Sequence, residues 1–306
     1  MRVYFSDHLA VPLPPGHRFP MGKYARLRER LIEEGVVPAS ALAPAPAATR
    51  AELCAAHDPG YVDAVCAGTL DERAQRRIGL PWSPALVART LASVGGTLAA
   101  ARAALDDGRA GNLAGGTHHA HRAFGSGFCV WNDLAVAAAV LLAEGRVERV
   151  LVFDADVHQG DGTATVFADE PRVFTCSLHG ARNFPFVKPA GDLDVELADG
   201  ADDAAVLAAI DGALAEVARR FAPDLVLYQA GVDPLAEDQL GRLAMTAAGL
   251  AERDRRVLAH FAARGVPVAL TLGGGYAQPI ERTIEAHVNT YRVAAATPAW
   301  IGRQNE

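Results

Sequence analysis

The chain has 306 residues, of which 50% are hydrophobic and 21% charged. This balance is typical of one large globular domain and excludes a mostly disordered chain or a coiled coil. With 29 Lys and Arg against 36 Asp and Glu, the net charge is −7 and no basic run occurs, so we expect no nucleic-acid partner.

Short apolar runs alternate with longer Ala- and Leu-rich stretches along most of the chain. In chain order they predict helices over residues 84–105 and 132–144, strands over 149–153 and 172–178, a helix over 202–221, a strand over 224–228, a helix over 246–263, a strand over 266–272 and a helix over 278–294. Such uniformly apolar strands are covered on both faces. The sequence therefore predicts a single α/β domain over residues 1–306, a three-layer α/β/α fold with a mostly parallel, doubly wound sheet.

Ligands of doubly wound sheets bind beyond the carboxyl ends of the strands, so polar residues that follow strands are candidate site residues. Asp154, Asp156 and His158 follow the strand at 149–153, and an extended backbone would place them on one side. Asp233 follows the strand at 224–228. Two carboxylates and one histidine from two strands match a catalytic zinc or ferrous site with open positions. Helix caps and turns are the alternative uses of these aspartates.

Two further segments place polar side chains after short apolar runs. His118 and His119 follow residues 111–114, and imidazoles near a metal site are natural general acid and base groups. Asp154 and Asp161 are carboxylates able to hold these rings. Tyr276 follows three glycines that allow a close backbone approach, and its phenol could donate to a developing oxyanion. The alternatives are that His118 and His119 lie on the surface and that Tyr276 belongs to the apolar core.

Taken in order, five segments closely resemble the histone deacetylase superfamily: GGTHHAHRAFGSGFCVWND, VLVFDADVHQGDGTATVF, FTCSLH, QAGVDPLAEDQLGRLAMT and TLGGGYA. The segments GARNFPF and HDPGY resemble its bacterial and class IV branches. The resemblance extends from residue 17 to the final helix. It implies an arginase/deacetylase-like fold and a zinc-dependent deacetylase that removes acetyl or other acyl groups from lysine side chains or related alkylamines.

The resemblance also implies a role for each candidate position. The implied ligands of Zn²⁺, or of Fe²⁺, are Asp156, His158 and Asp233. The implied catalytic residues are two histidine–carboxylate pairs and the oxyanion tyrosine: His118 with Asp154, His119 with Asp161, and Tyr276. The implied walls of an acyl-lysine tunnel are Gly127, Phe128, Phe184 and Phe186. A structural K⁺ ion is implied at Asp154, Asp156, His158, Ser177 and Leu178.

Two positions depart from patterns that are common in the superfamily. Gln159 stands where many eukaryotic members have a second histidine, and Thr117 precedes the tandem histidines where an aromatic residue is common. Neither position is an implied ligand. The short chain leaves little room for long loops around the tunnel.

The expected partner is an acylated lysine or a small acylated amine, and the net charge of −7 would attract cationic forms of either at low salt. Acetylpolyamine hydrolysis is the alternative; such an enzyme would need a carboxylate at the tunnel rim. An arginase- or agmatinase-type ureohydrolase would need two manganese ions with additional ligands, and a non-catalytic acyl-amine binder would need a broken site.

The sequence also predicts the surroundings in which the protein works. Its four cysteines form no CxxC pair and are expected to be free thiols in a reducing compartment: Cys54, Cys66, Cys129 and Cys176. The sequence has no pattern typical of a leader peptide and no apolar run of membrane length, so we expect no membrane association. These features together predict a cytoplasmic protein.

Overall fold

A computed structural model describes residues 1–298, and eight strands in this part of the chain form one parallel sheet. The strands are β1 (Arg2–Phe5), β2 (Leu42–Pro44), β3 (Arg109–Asn112), β4 (Val150–Asp154), β5 (Val173–Gly180), β6 (Leu193–Leu197), β7 (Leu225–Gln229) and β8 (Val268–Thr271). Their spatial order is β2-β1-β3-β8-β7-β4-β5-β6, and every neighbouring pair is parallel. All carboxyl ends therefore lie along the same edge of the sheet.

Helices connect the strands and cover the sheet. They are α1 (Lys23–Glu33), α2 (Arg50–Leu53), α3 (Pro59–Ala67), α4 (Glu72–Ile78), α5 (Pro84–Asp107), α6 (Asp133–Ala143), α7 (Asp161–Val166), α8 (Asp203–Arg220), α9 (Ala247–Ala262) and α10 (Glu281–Ala296). A short 3-10 helix spans Ala39–Ala41. None of the helices in residues 1–298 has the length and apolar composition needed to cross a bilayer.

Successive residues of the central strand β4 enter two different apolar cores. Val150 and Val152 pack in a core that includes residues of α5 and α6, whereas Leu151 and Phe153 pack in one that includes residues of α8 and α9. Because side chains alternate between the faces of a strand, a strand covered on both faces is apolar at every position. The predicted three-layer α/β/α fold with a parallel, doubly wound sheet is thus confirmed.

The four predicted strands and five predicted helices are all present, with ends that differ by a few residues. Four strands were not predicted, β1, β2, β3 and β6, because three to five residues carry little periodicity. Asn132 lies outside the helix predicted over 132–144, since its side chain caps α6 by accepting a hydrogen bond from the amide of Ala135 at 2.9 Å. The four cysteines are free, as predicted.

A fully buried guanidinium connects the segments that follow β4 and β7. Arg253 of α9 donates from Nη1 to the carbonyl oxygens of Ala155, at 3.0 Å, and Gly231, at 2.6 Å. Its Nε and Nη2 donate to Asp254 at 2.9 and 2.8 Å. The same carboxylate accepts a hydrogen bond from the Tyr228 hydroxyl at 2.6 Å. Both buried charges are therefore paired and hydrogen-bonded, the condition under which such a pair is tolerated.

We expect Arg253→Met to lower the free energy of unfolding by about 3–5 kcal/mol, because it leaves the buried Asp254 carboxylate without its partner. Urea-induced unfolding of the two proteins measures the difference. Arg255→Met on the same helix is the matched control; its surface pair with Glu252 predicts a change below about 1 kcal/mol. Equal effects of the two substitutions would contradict the role assigned to Arg253.

Candidate active site

The extended backbone of β4 stops at Asp154, and the chain bends over residues 156–158. The bend arises because Asp154 Oδ1 accepts the amide of Asp156 at 3.1 Å and Asp156 Oδ1 accepts the amide of His158 at 3.0 Å. The extended geometry assumed from the sequence is therefore wrong beyond Asp154. The side chain of Asp154 contacts His118, while Asp156 and His158 face each other.

The bend brings Asp156 and His158 against Asp233, which follows β7. Nδ1 of His158 lies 3.0 Å from Asp156 Oδ1 and 3.1 Å from Asp233 Oδ2. One ligand atom from each of the three residues lies within 4.8 Å of the others. Backbone amides hold the remaining carboxylate oxygens: Gly274 donates to Asp156 Oδ2 at 2.8 Å, and Val157 donates to Asp233 Oδ1 at 2.9 Å. One oxygen of each carboxylate is left to face His158.

This cluster has a strong demand for positive charge. Burial and the nearby Asp156 raise the pKa of Asp233 to about 7. Although burial favours the neutral ring of His158, hydrogen bonds to Asp156 and Asp233 raise its pKa to about 10. A divalent cation among the same three atoms would supply this charge without a proton. Carboxylate and imidazole donors suit zinc and ferrous iron, so these residues fit the implied metal.

The tandem histidines lie beside the cluster with their ring centroids 4.1 Å apart. Nδ1 of His118 is 2.6 Å from Asp154 Oδ2, and Nδ1 of His119 is 2.6 Å from Asp161 Oδ1. The structure thus brings together both histidine–carboxylate pairs that the resemblance implied. Nε2 of His118 is 3.8 Å from Asp156 Oδ1. In the part of the chain that the structure describes, Nε2 of His119 has no hydrogen-bond partner.

The two rings differ in their electrostatic surroundings. Burial, together with the adjacent His118, lowers the pKa of His119 to about 4. Burial also opposes a charge on His118, but the carboxylates of Asp154 and Asp156 raise its pKa to about 9. The surroundings therefore favour the neutral ring at His119 and the protonated ring at His118.

The start of α6 holds the loop that carries these histidines. The Asp133 carboxylate accepts the amides of Gly116 at 3.0 Å and Thr117 at 2.7 Å, and the Thr117 hydroxyl lies 2.5 Å from it. Asn132 Nδ2 donates to the carbonyl of Ala120 at 3.1 Å. Thr117, one of the two departures from the common pattern, is thus an anchor of the loop. Asp133 was not among the residues predicted from the sequence, although its place in the first turn of a predicted helix was a usable signal.

Asp161 also contacts a third histidine, His121, for which no role was predicted from the sequence. His121 Nε2 is 3.1 Å from Asp161 Oδ2, and its Nδ1 is 2.7 Å from the Thr165 hydroxyl. The ring of His121 stacks on Phe124 with centroids 4.3 Å apart. One carboxylate therefore orients two imidazoles, and His121 restrains Asp161 from the side opposite His119. The HHAH segment contained this signal.

Two of the residues implied for K⁺, Asp156 and His158, belong to the cluster itself. Asp154 and Ser177 are register partners on β4 and β5, and both line a cavity of about 10 Å³. The Ser177 hydroxyl is 2.9 Å from His179 Nδ1. Gln159, the second departure from the common pattern, donates from Nε2 to the Asp194 carboxylate at 2.8 Å. This hydrogen bond connects the bend that follows β4 to Asp194 in strand β6.

A cavity of about 320 Å³ leads to the cluster. Its lining includes the four residues implied for a tunnel: Gly127, Phe128, Phe184 and Phe186. Gly127 has φ 53°, and a Cβ there would lie 2.7 Å from the ring of His119, so the close approach requires glycine. The Phe184 ring meets His119 edge-on at 4.9 Å. Phe186 is 83% exposed and lies at the mouth instead of forming an enclosed wall.

Tyr276 lines the same cavity, on the loop after β8. Its amide donates to Asp238 Oδ2 at 2.6 Å, and Lys23 Nζ donates to the carbonyl of Gly275 at 3.2 Å. A Cβ on Gly274 would overlap the Asp233 carboxylate, which explains why this loop needs glycine. Burial raises the pKa of the Tyr276 phenol well above its usual value. The hydroxyl therefore stays protonated and can donate a hydrogen bond.

The fold and this site define an α/β protein whose candidate metal ligands lie at the base of a tunnel. The family model described as "Histone deacetylase domain" matches residues 17–291. The chain therefore belongs to the histone deacetylase family, and the resemblance is confirmed.

Known proteins resemble the chain in sequence and in fold. An uncharacterized protein of Picosynechococcus sp. is 48% identical over 292 residues, which cover 95% of this chain and 97% of that protein. A histone deacetylase homologue solved in complex with SAHA has a TM-score of 0.83 and 25% identity, covering 97% of this chain and 84% of that one. Acetylpolyamine aminohydrolase from Burkholderia pseudomallei has a TM-score of 0.77 and 25% identity, covering 97% and 99%.

His57 supports the histidine loop from behind and must be neutral to do so. Its Nε2 accepts the amide of Asn132 at 2.9 Å, and its Nδ1 is 2.9 Å from the carbonyl of His121. Burial lowers the pKa of His57 to about 4, against about 6.5 for an ordinary histidine. Between these pH values the unfolded chain takes up a proton at this ring and the folded chain does not.

We therefore expect the contribution of His57 to stability to be complete above pH 6.5 and to fall by about 3 kcal/mol as the pH drops to about 4. The fall in the free energy of unfolding between pH 7 and pH 4.5 should be smaller in His57→Gln. Urea unfolding at both pH values measures it. The exposed His8 supplies the control, His8→Gln. If His57→Gln kept the full pH dependence, His57 would not be its source.

Proposed function

We propose that the protein is a zinc-dependent amidohydrolase that removes acetyl groups, or other acyl groups, from lysine side chains or related alkylamines. The observation that carries this proposal is the cluster of Asp156, His158 and Asp233 beside two histidine–carboxylate pairs at the base of a tunnel. Membership of the histone deacetylase family supports a deacetylase or amidohydrolase. The similar acetylpolyamine aminohydrolase supports the same chemistry.

A Zn²⁺ ion, or Fe²⁺, held by Asp156, His158 and Asp233 would polarise the amide carbonyl and lower the pKa of a water molecule toward about 7. His119 removes a proton from the attacking water through Nε2, because its Nδ1 is held by Asp161. The same ring then protonates the leaving amine. His118, held by Asp154, stabilises the negative charge that develops.

Tyr276 completes the site from the opposite loop. Its protonated hydroxyl donates a hydrogen bond to the oxyanion that forms when water adds to the amide carbon. The rings of Phe128 and Phe184 enclose the alkyl stem of the substrate and exclude water. Loss of the amine from the tetrahedral intermediate yields a carboxylate and a free amine.

The number of metal sites favours this chemistry over that of a ureohydrolase. Within residues 1–298, one group of three histidine or carboxylate residues has its ligand atoms close enough to hold a metal ion. A two-manganese site of the arginase type would need further aspartate and histidine ligands. We propose in addition a structural K⁺ ion near Asp154, Asp156, His158, Ser177 and Leu178.

We also propose that residues 1–306 form one catalytic domain that works in the cytoplasm. The family match over residues 17–291 and the single sheet support one domain. The four free thiols are typical of a reducing compartment.

Purified protein should contain about one transition-metal ion per chain, and Asp156→Ala, His158→Ala or Asp233→Ala should reduce this to near zero, because three ligands fix the ion. Elemental analysis by mass spectrometry measures the content. A chelator should abolish hydrolysis of an acetyl-lysine peptide, and added Zn²⁺ or Fe²⁺ should restore it. Asp211→Ala removes a carboxylate from the surface of α8 and is the control. Full activity after exhaustive metal removal would refute the assignment.

Tyr276→Phe should lower kcat by roughly 10²–10³-fold and leave KM and metal content nearly unchanged, because the hydroxyl acts on charge that develops in the transition state. Steady-state kinetics on an acetyl-lysine peptide, with metal analysis of each preparation, tests this. Tyr4→Phe, in strand β1, controls for the loss of a hydroxyl elsewhere. An unchanged kcat would remove Tyr276 from the mechanism.

A further inference from the structure

The charged residues that line the cavity fall into two groups that differ in depth. The deep group contains the candidate ligands and the tandem histidines, and no ligand side chain is more than 12% exposed. The outer group consists of Arg182 and Arg242, whose side chains are 74% and 50% exposed. The arginines therefore lie at the mouth of the cavity.

The two arginines come from different loops and share one carboxylate. Arg182 follows β5, and Arg242 lies between β7 and α9. Asp199 Oδ2 is 3.5 Å from the Arg182 guanidinium and 3.2 Å from that of Arg242. One carboxylate against two guanidinium groups leaves one positive charge in excess. Both distances are longer than those of a close charge-assisted hydrogen bond, so a second anion can compete for these donors.

Among the described residues, no carboxylate that would offset this charge lines the mouth of the cavity. Among the described residues that line the cavity, the carboxylates are Asp156 and Asp233, both fully buried at its base. The distant ammonium of an acylated polyamine would therefore meet like charge at the mouth. Phe186, which also lines the cavity, is 83% exposed and offers apolar contact to the outer part of a substrate.

We propose that Arg182 and Arg242 bind a carboxylate of the substrate at the tunnel mouth, so that acyl-lysines with a nearby carboxylate are preferred over acylated polyamines. This inference rests on the proposed deacylase function. When the acyl group reaches the base of the tunnel, the lysine stem occupies the tunnel and its α-carbon emerges at the mouth. The α-carboxylate of a free or C-terminal acyl-lysine, or an acidic neighbour in a peptide, then lies near the guanidinium groups, whose planar donors match a carboxylate.

A pair of substrates that differ by one charge tests the proposal on the metal-loaded enzyme. Nα-acetyl-Nε-acetyl-lysine as the free acid and as its carboxamide have the same stem and the same scissile amide. We expect kcat/KM for the acid to exceed that for the carboxamide by about fivefold or more at low salt, and the ratio to shrink in about 0.5 M NaCl. Acetylspermidine should be the poorest of the three substrates.

Substitutions of Arg182 and Arg242 test whether these residues cause the preference for the acid. Arg182→Gln and Arg242→Gln should each lower the acid-to-carboxamide ratio, and the double variant should bring it close to one. The ratio cancels any loss of activity that is common to both substrates. Arg219→Gln removes an exposed arginine from α8 and should leave both rates unchanged. Carboxamide-terminated acetyl-lysine peptides with Glu or Gln beside the acetyl-lysine show whether a side-chain carboxylate serves as well as the α-carboxylate.

Two results of the comparison between acid and carboxamide would overturn the proposal: equal or faster hydrolysis of the carboxamide by the wild-type enzyme, or an unchanged ratio in the double variant. Preference for acetylspermidine over both lysine compounds would also overturn it while leaving the hydrolase assignment intact. The wild-type comparison decides the matter even if the double variant fails to fold. If metal-loaded wild-type enzyme hydrolyses none of these amides, the deacylase function itself fails and the substrate preference falls with it.

Discussion

The candidate site depends on the buried guanidinium of Arg253, which holds the segments beyond β4 and β7 at a constant separation. These segments carry Asp156 and Asp233, two buried carboxylates that repel each other in a medium of low dielectric constant. Because Asp254 neutralises the guanidinium, Arg253 fixes the positions of the two segments without adding net charge to the site. The demand for positive charge therefore remains at the ligand atoms themselves, where a metal ion can meet it.

Backbone amides and fixed carboxylates orient the groups around this centre. Each tandem histidine has its Nδ1 held by an aspartate, so Nε2 is the nitrogen left for chemistry. Asp161 is in turn restrained by His121, and Asp133 restrains the loop before the pair. Groups that are already oriented need little reorganisation when charge develops, and electrostatic stabilisation of a transition state depends on this property.

The sequence predicted the features that rest on local patterns. The long apolar runs identified the central strands, and the polar residues after them identified the segments that carry the candidate ligands. The bend after Asp154 was missed because two side-chain-to-amide hydrogen bonds outcompete strand extension there, and hydrophobic periodicity does not report them. Arg253, Arg182 and Arg242 were missed for another reason. Their partners, or the place they share, are formed by segments that are distant in sequence. The residues around a single arginine do not show whether its side chain is buried and paired or exposed on the surface.

The charge at the mouth also changes how the overall acidity of the chain bears on substrate choice. A net charge of −7 favours cationic substrates when all charges act together at low ionic strength. At physiological salt the Debye length is about 8 Å, so the part of a substrate that lies at the mouth responds mainly to the charged groups at the mouth. Those groups are Arg182 and Arg242, with one shared carboxylate. The local charge at the mouth is therefore opposite in sign to the net charge of the chain. This local charge is the one that distinguishes substrates that already occupy the tunnel.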